Sequence, residues 1–170
     1  MHESANLPVP PVPDGEIEGS TVRPTTRRLV SVAALILIVS IIGFILAVIF
    51  DWPGLARFGG PPSPNVSLAD IMQGTLTSIP LPPMIALAVC AVLARSRRWW
   101  GMLAVVTLCV LGVLFFFAAL AEVQPNPYVP TAVVVGAVVI YAILGLLLVV
   151  SGVIDLIDRA RQRRRARGVR

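Results

Sequence analysis

Lysine is absent from this chain of 170 residues, histidine occurs once and cysteine twice. His2 stands alone in a polar N-terminal stretch, so neither a histidine metal site nor an imidazole general base is expected. Cys90 and Cys109 bring no further ligands and no spacing motif, so no redox or metal role follows from them. Counted from the arginine-rich turn between them, their depths differ by about 7 Å, which disfavours a disulfide. They read as buried, unreactive, apolar thiols.

Charge is sparse too. Charged residues make up 14% of the chain against 56% hydrophobic, with a mean hydropathy of +0.86. That leaves too little polar surface to cover a water-soluble globule, and the chain is read as a membrane protein. Catalysis or ion transport inside a bilayer normally leaves ionisable side chains within the apolar spans, because they are costly there and retained only for use. The apolar runs here hold none. Asp51, Asp70, Glu122, Asp155 and Asp158 all fall at or beyond the ends of these runs, where water is expected to reach them. With no acid, base, nucleophile or metal set visible, no enzyme activity, cofactor or bound metal is expected.

What the chain does have is long apolar runs and proline. Residues 1–28 carry Pro8, Pro10, Pro11 and Pro13 followed by Asp14, Glu16 and Glu18, a composition that favours an extended, disordered arm. No basic segment with a short apolar core and a cleavage site precedes the first run, so no cleaved leader is expected. Residues 29–50 form an uncharged run, about 33 Å as a helix, with Gly43 and Ala47 as a small-residue pair suited to close helix contact. Prolines and glycines at 53–64 make a loop, with Trp52 and Phe58 suited to the headgroup level. Residues 101–121 give a third span and 129–154 a fourth, the latter with Ala132, Gly136, Gly145 and Gly152 on thin faces.

The second span is interrupted. Pro80, Pro82 and Pro83 forbid one regular helix through residues 68–95. Ahead of the break, Leu68, Ile71, Met72, Thr75, Leu76 and Ile79 recur at helical spacing, with Ser67 and Asp70 placed as a capping box. This predicts a short amphipathic interfacial helix over 68–79. Where broken helices line binding sites they do so from freed carbonyls, so Thr77, Ser78, Pro80, Pro82 and Pro83, with Phe115, Phe116 and Phe117 of the third span, make a candidate pocket or helix-contact site.

Arginine supplies all 14 basic residues, as GC-rich bacterial coding would. Arg23, Arg27, Arg28, then Arg95, Arg97, Arg98, then seven from Arg159 onward fall on one side of the spans and only Arg57 on the other, 13 against 1. The expected architecture is therefore an all-α, integral membrane four-helix bundle over 29–158 with both termini cytoplasmic in a bacterial plasma membrane. The tail from 159 to 170, with Arg159, Arg161, Arg163, Arg164, Arg165, Arg167 and Arg170, is expected to contact anionic lipid. Nucleic acid is disfavoured as a partner, because stacking aromatics and a folded recognition module are missing. Membrane lipids and other integral membrane subunits are the expected partners. The functional expectation is a non-catalytic accessory or assembly subunit of a larger bacterial membrane complex, for example of a respiratory chain. The alternative is a small transporter or a lipid- or quinone-binding protein that uses the broken span.

Overall fold

The computed structural model describes residues 23–50, 74, 75, 77–96, 98–121 and 130–168, with side chains up to Arg165 apart from Ala121. The proline-rich arm to residue 22, the capping box at Ser67 and Asp70, and Trp52, Phe58, Arg57, Glu122 and Arg170 lie outside the described residues. Among the described residues four helices account for the regular structure: α1 Pro24–Ile49, α2 Leu81–Leu93, α3 Trp99–Ala121 and α4 Thr131–Gly168. Among the described residues there is no strand, only an isolated bridge between Thr75 and Ser78.

Isoleucine- and valine-rich runs favour strands in water, but in hydrocarbon every backbone group must be satisfied within its own segment, and only a helix does that unaided. Among the described residues three helices are long and apolar enough to cross a membrane, within Pro24–Ile49, Trp99–Leu120 and Thr131–Arg165. The fourth, α2, has 13 residues and extends about 20 Å, short of a hydrocarbon core of about 30 Å. Apolar side chains such as Ile38, Ile42, Ile45, Val110, Leu114 and Ile143 project outward, a surface suited to lipid rather than water.

Two boundaries differ from the sequence reading. Helix α1 starts at Pro24, so residues 24–28, assigned to the arm, form its first turn; proline fits the first helical position because its missing N–H has no helical acceptor there. Helix α4 runs on to Gly168 and carries the arginine-rich tail as a helix. Helix α2 begins within the proline run, with Pro82 and Pro83 in its first turn and Met84 N–H closing onto Pro80 O at 3.2 Å. The helix expected over 68–79 is corrected at its C-terminal end. Gly74 has a φ of 87°, and Ser78 N–H bonds Thr75 O at 3.1 Å to close a turn. The hydroxyls of Thr75 and Ser78 also bond each other at 2.7 Å, offering this backbone an alternative to the helix.

Burial follows alternating steps of three and four. On α1 the enclosed positions are Thr26, Leu29, Ala33, Ile36, Ser40, Gly43 and Ala47, which is a heptad seam. Helices α1 and α4 each pack against a seam of the other, and α2 lies against α1 and α3. The most extensive contact is between α3 and α4, and at Gly112 and Gly145 their backbones come close. A Cβ on Gly145 would meet Gly112 O at 2.8 Å and Phe116 N at 3.0 Å, and one on Gly152 would collide with Cys109 Sγ. The core between the seams is Leu29, Ala33, Ile36, Leu87, Ala91, Val105, Leu108, Leu144 and Leu148.

Two glycines of α4 should therefore respond in opposite ways. Gly145→Ala should cost about 1–3 kcal/mol through forced separation of α3 and α4. Gly136→Ala, whose Cβ meets nothing within 4 Å, should be neutral or stabilising by up to about 1 kcal/mol from helix propensity. Unfolding midpoints of the two variants in the same detergent check this.

Candidate functional site

The seams of α1 and α4 are apolar except in two layers. In the first, Asp155 is fully enclosed, with 0% exposure, and Arg159 is 7% exposed. Asp155 stands one helical turn before Arg159, and Arg159 Nε–H donates to Asp155 Oδ2 at 2.6 Å. The other carboxylate oxygen, Oδ1, accepts from Thr26 Oγ1 at 2.6 Å and Thr25 Oγ1 at 3.0 Å, both on the first turn of α1. The far side of the guanidinium serves α2: Nη2 donates to Ala94 O at 2.6 Å and Nη1 reaches Ser96 O at 3.4 Å. These carbonyls lie at and just past the C-terminal end of α2, where no helical N–H remains to bond them. Gly101 of α3 completes the layer, because a Cβ there would strike Ser96 O and stand 3.0 Å from Arg159 Nη1. One ion pair on α4 thus bonds the first turn of α1 and the C-terminal end of α2, with α3 packed close beside it at Gly101.

This overturns two sequence expectations. Asp155 does not sit where water reaches it, and Arg159 does not face lipid; each neutralises the other inside the protein. The signal was present in the sequence. Gly145 and Gly152 lie seven apart, and one further heptad from Gly152 is Arg159; Tyr141, Leu148 and Asp155 run in the companion phase.

The second layer surrounds residues 77–79. Thr77 Oγ1 donates to Gly43 O at 2.7 Å, Tyr141 Oη donates to Thr77 O at 2.8 Å, and Ile79 N–H donates to Ser40 Oγ at 2.9 Å. Ser40 in turn donates to Met84 Sδ at 3.4 Å. Gly43 is used as the sequence suggests, for close approach, but what it admits is the carbonyl of Thr77 and not another helix; any Cβ there would overlap that oxygen. Thr26 to Ser40 on α1 and Tyr141 to Asp155 on α4 are each 14 residues, or about 21 Å. That length matches the 13 residues of α2: Ser40 of α1 and Tyr141 of α4 bond the residues just ahead of it, and Arg159 of α4 bonds the carbonyls at its C-terminal end.

The eight residues proposed as a pocket are distributed differently from one another. Thr77 and Ser78 are buried and bonded within the protein, and Phe115 belongs to the same core cluster as Ile79. Pro80 and Pro83 are half-buried and Pro82 exposed. Phe116 is half-buried and meets Phe117 edge to face at 5.6 Å, while Phe117 is 63% exposed. Successive helical residues turn by about 100°, so three adjacent phenylalanines cannot share one lining. Of the seven tail arginines, Arg161, Arg163, Arg164 and Arg165 are exposed; the side chain of Arg167 lies outside the described set. Cys90 and Cys109 are free, half-buried thiols.

Among the described residues, every buried side-chain nitrogen and oxygen has a hydrogen-bond partner. Within the same set no group of three or more His, Cys, Asp or Glu is placed to hold a metal ion.

Arg159→Gln should destabilise the protein by about 3–5 kcal/mol, because it strands the Asp155 carboxylate away from water. Replacing both partners, Asp155→Leu with Arg159→Met, should recover much of that loss; chemical unfolding in detergent compares the two. In the second layer, Ser40→Ala removes the acceptor of Ile79 N–H and should cost about 1–3 kcal/mol in the same measurement.

Comparison of this chain with protein-family models, with curated proteins and with solved structures finds no match.

Proposed function

We propose that this chain is a non-catalytic, multi-pass membrane protein acting as an accessory or assembly subunit of a larger bacterial membrane complex, of which a respiratory-chain complex would be one example. The observation that carries this reading is the use made of buried polarity. Asp155 and Arg159 are the buried ionisable pair among the described residues, and both are consumed in holding helices together. A transport path or a catalytic centre needs titratable groups turned toward a cavity. Here the polar side chains are turned toward backbone ends instead.

The same reading gives the topology: a four-helix bundle with both termini in the cytoplasm. The end that holds the ion pair also carries exposed Arg27, Arg28, Arg95 and Arg98, as the positive-inside rule asks of a cytoplasmic face. Helix α2 and the non-helical residues 77–80 together form the second, broken crossing. Thin helix faces left open, such as that of Gly136 on α4, suit contact with neighbouring subunits.

One observation favours a second reading, a small transporter or a lipid- or quinone-binding protein. The backbone at 77–79 is non-helical about 21 Å along α4 from the ion pair, and such backbone lines sites in transporters. Purification in mild detergent followed by mass spectrometry separates the two. Stoichiometric co-purifying membrane subunits are expected under the first reading. A lone chain or homo-oligomer retaining a quinone or lipid would overturn it in favour of the second.

A further inference from the structure

We propose that the helix ends around the Asp155–Arg159 pair form a collar for anionic phospholipid headgroups, made by the arginines that the pair leaves free. This rests on the reading that the long helices cross a bilayer. Asp155 and Asp158 are the only carboxylates among the described residues. Asp155 is spent on Arg159, the one ion pair of that set, so among the described residues the half-buried Asp158 is the only other carboxylate to balance the exposed arginines of this end.

The register of α3 and α4 sets the depth of the collar. Gly101 of α3 lies level with Arg159, and just before it Trp99 and Trp100 are about half exposed, with their rings stacked at 3.8 Å. Exposed tryptophans at a helix end mark the headgroup level. Arg161, Arg163, Arg164 and Arg165 follow on the continuing helix, about 3–9 Å beyond Arg159. A headgroup layer is about 5–8 Å thick on each side of the hydrocarbon, so these four side chains reach phosphate depth.

Their angular distribution bears on the occupant, because it covers an arc of about 200° around α4 and not one narrow stripe. At about 100° per residue, the four arginines point near 0°, 200°, 300° and 40° around α4. A protein groove or a nucleic-acid duplex would be met by one face of a helix. Lipids surround a crossing helix and can meet charge on every side. At low salt each arginine near an anionic surface should strengthen binding about fivefold.

The test uses the full-length chain. Alkaline carbonate extraction of reconstituted vesicles first establishes insertion; extraction of the chain would overturn the membrane reading and this proposal together. Binding of phosphatidylglycerol and of phosphatidylcholine is then measured in neutral detergent micelles at low salt. Phosphatidylglycerol should bind more than tenfold tighter. In R161Q/R163Q/R164Q/R165Q that preference should fall by about fivefold or more, Arg27, Arg28, Arg95 and Arg98 keeping a remainder, while Arg159→Gln should keep it in full and lose only thermal stability. An inserted chain that binds both lipids equally, or a quadruple variant with undiminished preference, would overturn the collar alone. So would displacement of phosphatidylglycerol by a mixed-sequence oligonucleotide.

Discussion

A backbone placed in hydrocarbon has no water to bond, so each N–H and C=O must find its partner within the protein. Three long helices meet that demand by themselves along most of their length. The short helix α2 does not, because it starts and stops inside the assembly. Its last carbonyls and the non-helical residues ahead of its first turn are where the polar side chains of α1 and α4 are spent. Arg159 reaches Ala94 and Ser96 at one end; Ser40 and Tyr141 take Ile79 N–H and Thr77 O at the other. The carboxylate of Asp155 follows from this arrangement, since a guanidinium brought inside needs a counter-charge.

The two layers differ in strength. Hydrogen bonds to charged groups contribute about 1.5–3 kcal/mol, against about 0.5–1.5 kcal/mol for neutral ones. The Arg159 layer is therefore the firmer anchor and the Ser40 and Tyr141 layer the softer one. Glycine does comparable work by geometry alone. Gly112 and Gly145 bring α3 and α4 together, and Gly43 lets the carbonyl of Thr77 approach α1. Helix packing in membranes gains little from hydrophobicity, since lipid is as apolar as leucine, and close approach supplies the dispersion contacts instead.

Much of the helical framework was legible from apolar run length, which is the strongest signal a membrane sequence carries. The three long helices follow from it. Hydrophobic spacing failed at 74–79, where Thr75, Thr77 and Ser78 fall at positions a helix could use but bond each other and nearby backbone instead. It failed again at Asp155 and Arg159, because charge was taken as the end of the buried face. The heptad phase continues through both residues, and periodicity was the better guide there than polarity. The mutual placement of Ser40, Thr77 and Tyr141 was not legible at all, since it depends on non-local contacts across 34 residues or more.

The length of α2 has one further effect. With a seat at either end, this helix acts as a strut cut to a fixed gauge, and it can neither slide nor change length by itself. One residue added to its interior would lift it by about 1.5 Å and rotate it by about 100°, enough to unseat one end whichever end stayed in place. Any lengthening would have to come in whole heptads and be matched in both neighbouring helices at once, so the chain is free to vary on its lipid-facing sides and closely constrained along this axis.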